Sequence, residues 1–183
     1  NNIYRKKMRD RLPSFRDILA VFSVVATLVY GWTIIIFLMK LPSWLLFATA
    51  GELFAMQSYV FVTAFFESLI VTGLLAALSL FFPVRFFRND FIVRASWIGI
   101  CGYASIMLFL KLNTVFEKPL LPFIGLWSFF TFVICLILAW VSPRVKLMRS
   151  FAEWATDRFQ VFLLILVPLS VVSLVVVVIR NII

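Results

Sequence analysis

VFLLILVPLSVVSLVVVVI, residues 161–179, runs for nineteen positions without a charged side chain. A soluble core would have to hide such a block on every side. The block matches instead the ~20 apolar residues that carry a helix across ~30 Å of hydrocarbon, where the backbone finds no hydrogen-bond partner but itself. Pro168 removes one backbone donor in mid-run and is expected to kink the helix.

Upstream of this run the pattern repeats. Apolar stretches at about 18–39, 59–82, 95–110 and 120–141 give five spans in all. The expected fold class is therefore all-α, a polytopic transmembrane helical bundle of about five spans plus interfacial helices. A basic arm, residues 1–17, precedes a single membrane domain over 18–183. Composition agrees: 64% of the 183 residues are hydrophobic, the mean hydropathy is +1.10, and an ordinary soluble domain is roughly 45–50% apolar. The first run is too long for the core of a cleaved signal peptide.

Local signals set the expected boundaries. Ser14 and Asp17 form a capping pair at the start of the first span, which is expected to stop at Lys40, Leu41 and Pro42. Residues 43–58 read as an interfacial helix, with an outward extension of the second span as the alternative. Asn89 or Asp90 can cap the third span, and Pro119 suits the first turn of the fourth. Ser142-Pro143 reads as an N-cap followed by proline at the first helical position. The helix it opens, 143–160, is amphipathic: Val145, Met148, Ala152, Ala155 and Phe159 recur on one face, with Arg144, Lys146, Arg149, Glu153 and Asp157 opposite. Such a helix is expected to lie in the headgroup plane.

Charge distribution orients the bundle. With five spans, thirteen Lys/Arg fall in the arm and the two loops on its side, against Lys40, Lys111, Lys118 and Arg180 on the other. The positive-inside rule then puts the N-terminus in the cytoplasm and the C-terminus outside, in a bacterial or archaeal cytoplasmic membrane. The net charge of +9 is thus a topology signal, and no nucleic-acid partner is implied. The expected partner is a bilayer with anionic headgroups on the inner face, contacted by Arg85, Arg88, Arg144, Lys146 and Arg149. Other membrane subunits or a homo-oligomer are further partners that small-residue faces would serve.

Those faces stack at four-residue spacing: Ser23, Thr27 and Gly31 in the first span, Ser68, Thr72 and Ala76 in the second, with Gly99 and Gly102 in the third. They let helix backbones approach closely. Phe15-Arg16-Asp17 and Phe87-Arg88-Asn89-Asp90 open successive hairpins in similar words, a faint echo of a parallel repeat. The simpler account is that hairpin bases on the inner side collect arginine, a cap and a proline.

Chemical motifs are sparse. The chain has no histidine, which argues against imidazole-ligated haem or a His-dependent hydrolase. It also lacks a phosphate loop, a Cys-x-x-Cys pair and a G-x-S-x-G elbow. No cofactor or metal is expected, and no catalytic residue stands out. Cys101 and Cys135 read as small apolar fillers. One residue is out of place: Glu67, a carboxylate inside the second span, where it costs roughly 2.5–3.5 kcal/mol on insertion scales. Counting helical rise outward from each inner end puts Trp32, Trp127 and, within a turn, Lys111 at about its depth. These four form an expected intramembrane polar cluster, with Glu67 and Lys111 as an ion pair.

Three classes of function fit this reading. First is a non-enzymatic accessory or scaffold subunit of a membrane assembly. Second is a small transporter or channel component using Glu67. Third is a lipid-modifying enzyme working at the inner interface through Arg85, Arg88, Arg144 and Arg149, or the membrane anchor of a further domain.

Overall fold

A computed structural model describes residues 13–81, 90–115 and 121–182. Its elements are α1 (Phe15–Trp44), α2 (Ala50–Phe81), α3 (Phe91–Val115), α4 (Ile124–Val141) and α5 (Lys146–Ile182), with a 3-10 turn at Leu121–Phe123 leading into α4. All five α-helices are long and apolar enough to cross a membrane. The protein is an all-α, polytopic integral membrane protein.

The starts of α1, α3 and α5 lie together, since Asp17, Asp90, Arg149 and Glu153 line one small cavity. We call this the arginine-rich end. At the opposite end, Glu52 near the start of α2 shares a cavity with Arg180 near the end of α5. The helix α1 is central and packs against α2, α3 and α5. Val21, Val25, Val29 and Tyr30 of α1 form the core with Phe61 and Leu75 of α2, Phe91, Ala95 and Tyr103 of α3, and Leu163 of α5. In lipid there is no hydrophobic drive to bring helices together, so close packing and interhelical hydrogen bonds hold this core.

Two of those ties are specific. The Tyr30 hydroxyl is buried, donates to the Phe61 carbonyl at 3.2 Å, and meets the Ser170 hydroxyl, joining α1, α2 and α5. At Gly99 a Cβ would stand 3.3 Å from Val25 Cγ2 and 3.8 Å from Leu75 Cδ1, so glycine sets the approach of α3 to α1. Ser23, Ser68 and Thr72 are likewise buried, and Ser23 and Ser68 donate back to carbonyls on their own helices. Gly31 and Gly102, in contrast, have open space where a Cβ would be. Thr27 and Ala76 are half-buried.

Several boundaries differ from the sequence expectation. Pro42 does not stop α1, which ends at Trp44. It falls in the last turn, so the donor it removes and the clash of its ring disturb only the end of the helix. The stretch 43–58 is not a separate helix: α1 ends at Trp44, and α2 begins at Ala50 and continues unbroken to Phe81. Its start is a capping box. The Thr49 N–H donates to Glu52 Oε2 at 2.8 Å, and the Glu52 N–H donates to Thr49 Oγ1 at 3.4 Å.

The stretch 143–160 also differs. It belongs mostly to α5, 37 residues long and about 55 Å at the helical rise, against ~30 Å of hydrocarbon. No glycine or proline separates Arg158 from Val161, so nothing ends a helix there. Its small face, Ala152 and Ala155, is buried inside the bundle, while Trp97 of α3 donates its indole N–H to the Met148 carbonyl at 3.0 Å. Pro168 lies within α5, which continues as one helix. Ser142 does not open a helix either. It is the C-cap of α4, its N–H donating to the Leu138 carbonyl. The Ser14–Asp17 capping box is formed. Asn89 and Pro119 lie outside the described residues.

Candidate functional site

The helix α4 stands apart from the bundle. Of the most apolar window in each helix, 44% is buried in α1 but 6% in α4, because α4 packs chiefly against α3. Between the two runs a cavity of about 750 Å³ whose walls include Gly102, Ser105, Trp127, Thr131, Leu136 and Ala139. That volume is in the range of small-molecule sites.

At mid-groove the helices are tied by polar side chains. The Trp127 indole N–H donates to Ser105 Oγ at 2.9 Å, and Ser105 Oγ and Thr131 Oγ1 are 2.6 Å apart. The Trp127 ring also meets that of Phe109 at a tilt of 53°, with ring centroids 5.6 Å apart. A hydroxyl or indole without a partner would be costly in hydrocarbon, so this cluster fixes the pairing of α3 with α4. Cys101 and Cys135, both half-buried, come within interaction range of each other across the same pair of helices.

The groove closes at the arginine-rich end. Arg94 of α3 is buried, and its Nη1 donates to the Ala139 carbonyl at 2.8 Å. A helix running on through residue 143 would bond that carbonyl to the N–H of residue 143, which Pro143 lacks. Arg144 folds back over Trp140, 3.8 Å from the ring centroid, and donates to the Trp140 carbonyl at 2.6 Å. It lies within electrostatic range of Arg94. On the far side, Arg149 takes Asp90 at 3.7 Å and Glu153 at 3.0 Å, and Asp90 also faces Arg94 at 3.9 Å.

The expected polar cluster around Glu67 is not assembled. Among the described residues the ion pairs involve Arg94 and Arg149, and Glu67 and Lys111 do not pair. Glu67 is half-buried and Lys111 is exposed. On α3, Glu67 lies within electrostatic range of Tyr103, eight residues and about 12 Å of rise before Lys111. Trp127 gives its indole proton to Ser105 on a different helix pair, and Trp32 packs against the core of α1. Depth was the only coordinate available to the count. Direction around each helix axis, which separates these residues, was missing.

Of the residues expected to contact anionic lipid, Arg144, Lys146 and Arg149 are exposed at the arginine-rich end, while Arg85 and Arg88 lie outside the described residues. Arg94 was legible only as a topology charge, and nothing in its spacing shows its reach to Ala139. The Thr49–Glu52 box could have been found, because Thr-x-x-Glu before an apolar run is its signature.

Comparison of the chain with protein families, with characterised proteins and with solved structures returns no match. The class is set by the fold alone, an integral membrane protein with five apolar, membrane-length helices among the described residues.

Proposed function

We propose that this protein is a non-enzymatic accessory or scaffold subunit of a membrane assembly. One observation carries the reading: α4 adds little to the protein's own core yet turns an apolar, aromatic row, Leu126, Phe129, Phe130 and Ile137, away from it. Lipid solvates such a row as well as protein does, so exposure alone is neutral in a membrane. A helix held mainly by one neighbour is different, because its ordering is completed when a second surface packs on it. Orientation with the arginine-rich end in the cytoplasm belongs to the same reading.

The test is site-specific photocrosslinking in native membranes. A probe at Phe130 should give one stoichiometric protein adduct, and a probe at Ile165, exposed on α5, should give only lipid. Replacing Phe129 and Phe130 with leucine keeps the surface apolar but changes its shape. It should shift the native particle to the mass of the lone protein. A lone protein in the wild type, with lipid adducts at both sites, would overturn the reading.

A second reading is a small transporter component. It is favoured by Glu67, which is half-buried inside a span without an ion-pair partner among the described residues. Loss of a proton-coupled flux in liposomes on Glu67→Gln, with folding intact, would establish it.

A further inference from the structure

We propose that the groove between α3 and α4 holds one acyl chain of an anionic phospholipid, whose phosphate sits at Arg144. The shape selects a chain over a helix. The walls already touch at Ser105 and Thr131, 2.6 Å apart, whereas a helix with side chains is about 10 Å across. Open space remains in front of Gly102, which lines the groove. From Ile124 to Ala139 the groove follows α4 for about 22 Å of rise. One leaflet of a ~30 Å hydrocarbon core is about half that core, so an acyl chain fits within the length of the groove.

Charge selects the headgroup. The groove ends at Ala139, whose carbonyl takes the Arg94 guanidinium, and Arg144 sits on the next carbonyl, that of Trp140. Asp90 is shared by Arg94 at 3.9 Å and Arg149 at 3.7 Å, and Glu153 pairs with Arg149, so among the described residues no carboxylate pairs with Arg144. Arg144 itself contacts a carbonyl and an indole ring, neither of which cancels its charge. A phosphate monoanion does, through charge-assisted hydrogen bonds. Trp140 at the same level, more than half exposed, suits the glycerol region, where indoles concentrate.

Native mass spectrometry of the detergent-solubilised chain tests this with defined lipids. Dioleoyl phosphatidylglycerol should be retained at one per protein under conditions that strip dioleoyl phosphatidylcholine. Arg144→Gln should weaken that retention about tenfold, the effect of losing one charge-assisted contact. Gly102→Leu, which fills the groove, should abolish it. Equal retention of the two lipids, or phosphatidylglycerol binding that survives both substitutions, overturns the proposal. So does a dimer that forms through α4 and excludes lipid, since the groove would then be a protein interface. Arg144 is exposed, so its variant remains readable even if Gly102→Leu disturbs folding.

Discussion

Arg94 and Ala139 are joined across α3 and α4 by a 2.8 Å hydrogen bond from a guanidinium to a backbone carbonyl. The proline four residues after Ala139 creates the need for that bond. Helix interiors satisfy each carbonyl from the N–H four residues on, and Pro143 offers none. Hydrogen bonds to charged groups are worth about 1.5–3 kcal/mol, so Arg94→Met should lower stability in detergent by that order. Pro143→Ala returns an N–H to position 143, and in that background Arg94→Met should cost clearly less. A double-mutant cycle on Tm reads the coupling. Equal losses in both backgrounds would show that the two features are unrelated.

Tyr30 makes a buried tie across three helices, to Phe61 and Ser170. Interhelical hydrogen bonds in membranes average about 0.6 kcal/mol and reach about 1.7, so Tyr30→Phe should be a modest lesion. Tyr30→Ala also opens a cavity and should cost about 3–5 kcal/mol, the loss seen for large-to-small core changes. Since one contact serves both hydroxyls, Ser170→Ala added to Tyr30→Phe should change little more. A fully additive pair in thermal melts would mean that the hydroxyls do not meet.

The spans were legible in the sequence because hydrocarbon demands long uncharged runs, as at 161–179. Their ends were less so. Ser142-Pro143 has the chemistry of a helix start, yet the same proline can close the helix before it, and tertiary contact with Arg94 selects closure. Residues 143–160 alternate faces as an interfacial helix would. Ala152 and Ala155 turn that pattern inward, against the bundle. The groove was not legible at all, since Ser105 and Thr131 are ordinary hydroxyls until α3 and α4 are set side by side.

Gly99 marks where α3 meets α1. Gly99→Leu must push Val25 and Leu75 apart, and overpacking of this kind costs about 1–3 kcal/mol. Gly73, on the exposed side of α2, has open space where a Cβ would stand. Gly73→Leu should therefore leave Tm unchanged or raise it, because leucine is the better helix former by up to about 1 kcal/mol. Equal losses from both would remove Gly99 from the contact.

Orientation can be read with an impermeant thiol reagent in a background where Cys101 and Cys135 are serine. With the arginine-rich end in the cytoplasm, a cysteine at Asn113 near the end of α3 should be labelled in intact cells. One at Lys146, the first residue of α5, should react only after permeabilisation. The reverse pattern would invert the assignment of the charged end.

Glu67 and Lys111 supply the sharpest contrast between depth and contact. The sequence put them at one level, but the structure leaves them unpaired, with Tyr103 within electrostatic range of the carboxylate. A buried ion pair broken from one side strands the other charge and costs about 3–5 kcal/mol. Residues that do not touch add within about 0.5 kcal/mol. Glu67→Gln should therefore hold or raise Tm, since a neutral amide of the same shape is easier to keep in a span than a carboxylate lacking a counter-charge. Lys111→Met, at an exposed site, should change little. The double mutant should equal the sum of the two. Recovery by Lys111→Met of stability lost in Glu67→Gln would restore the ion pair and overturn the placement of Glu67 beside Tyr103.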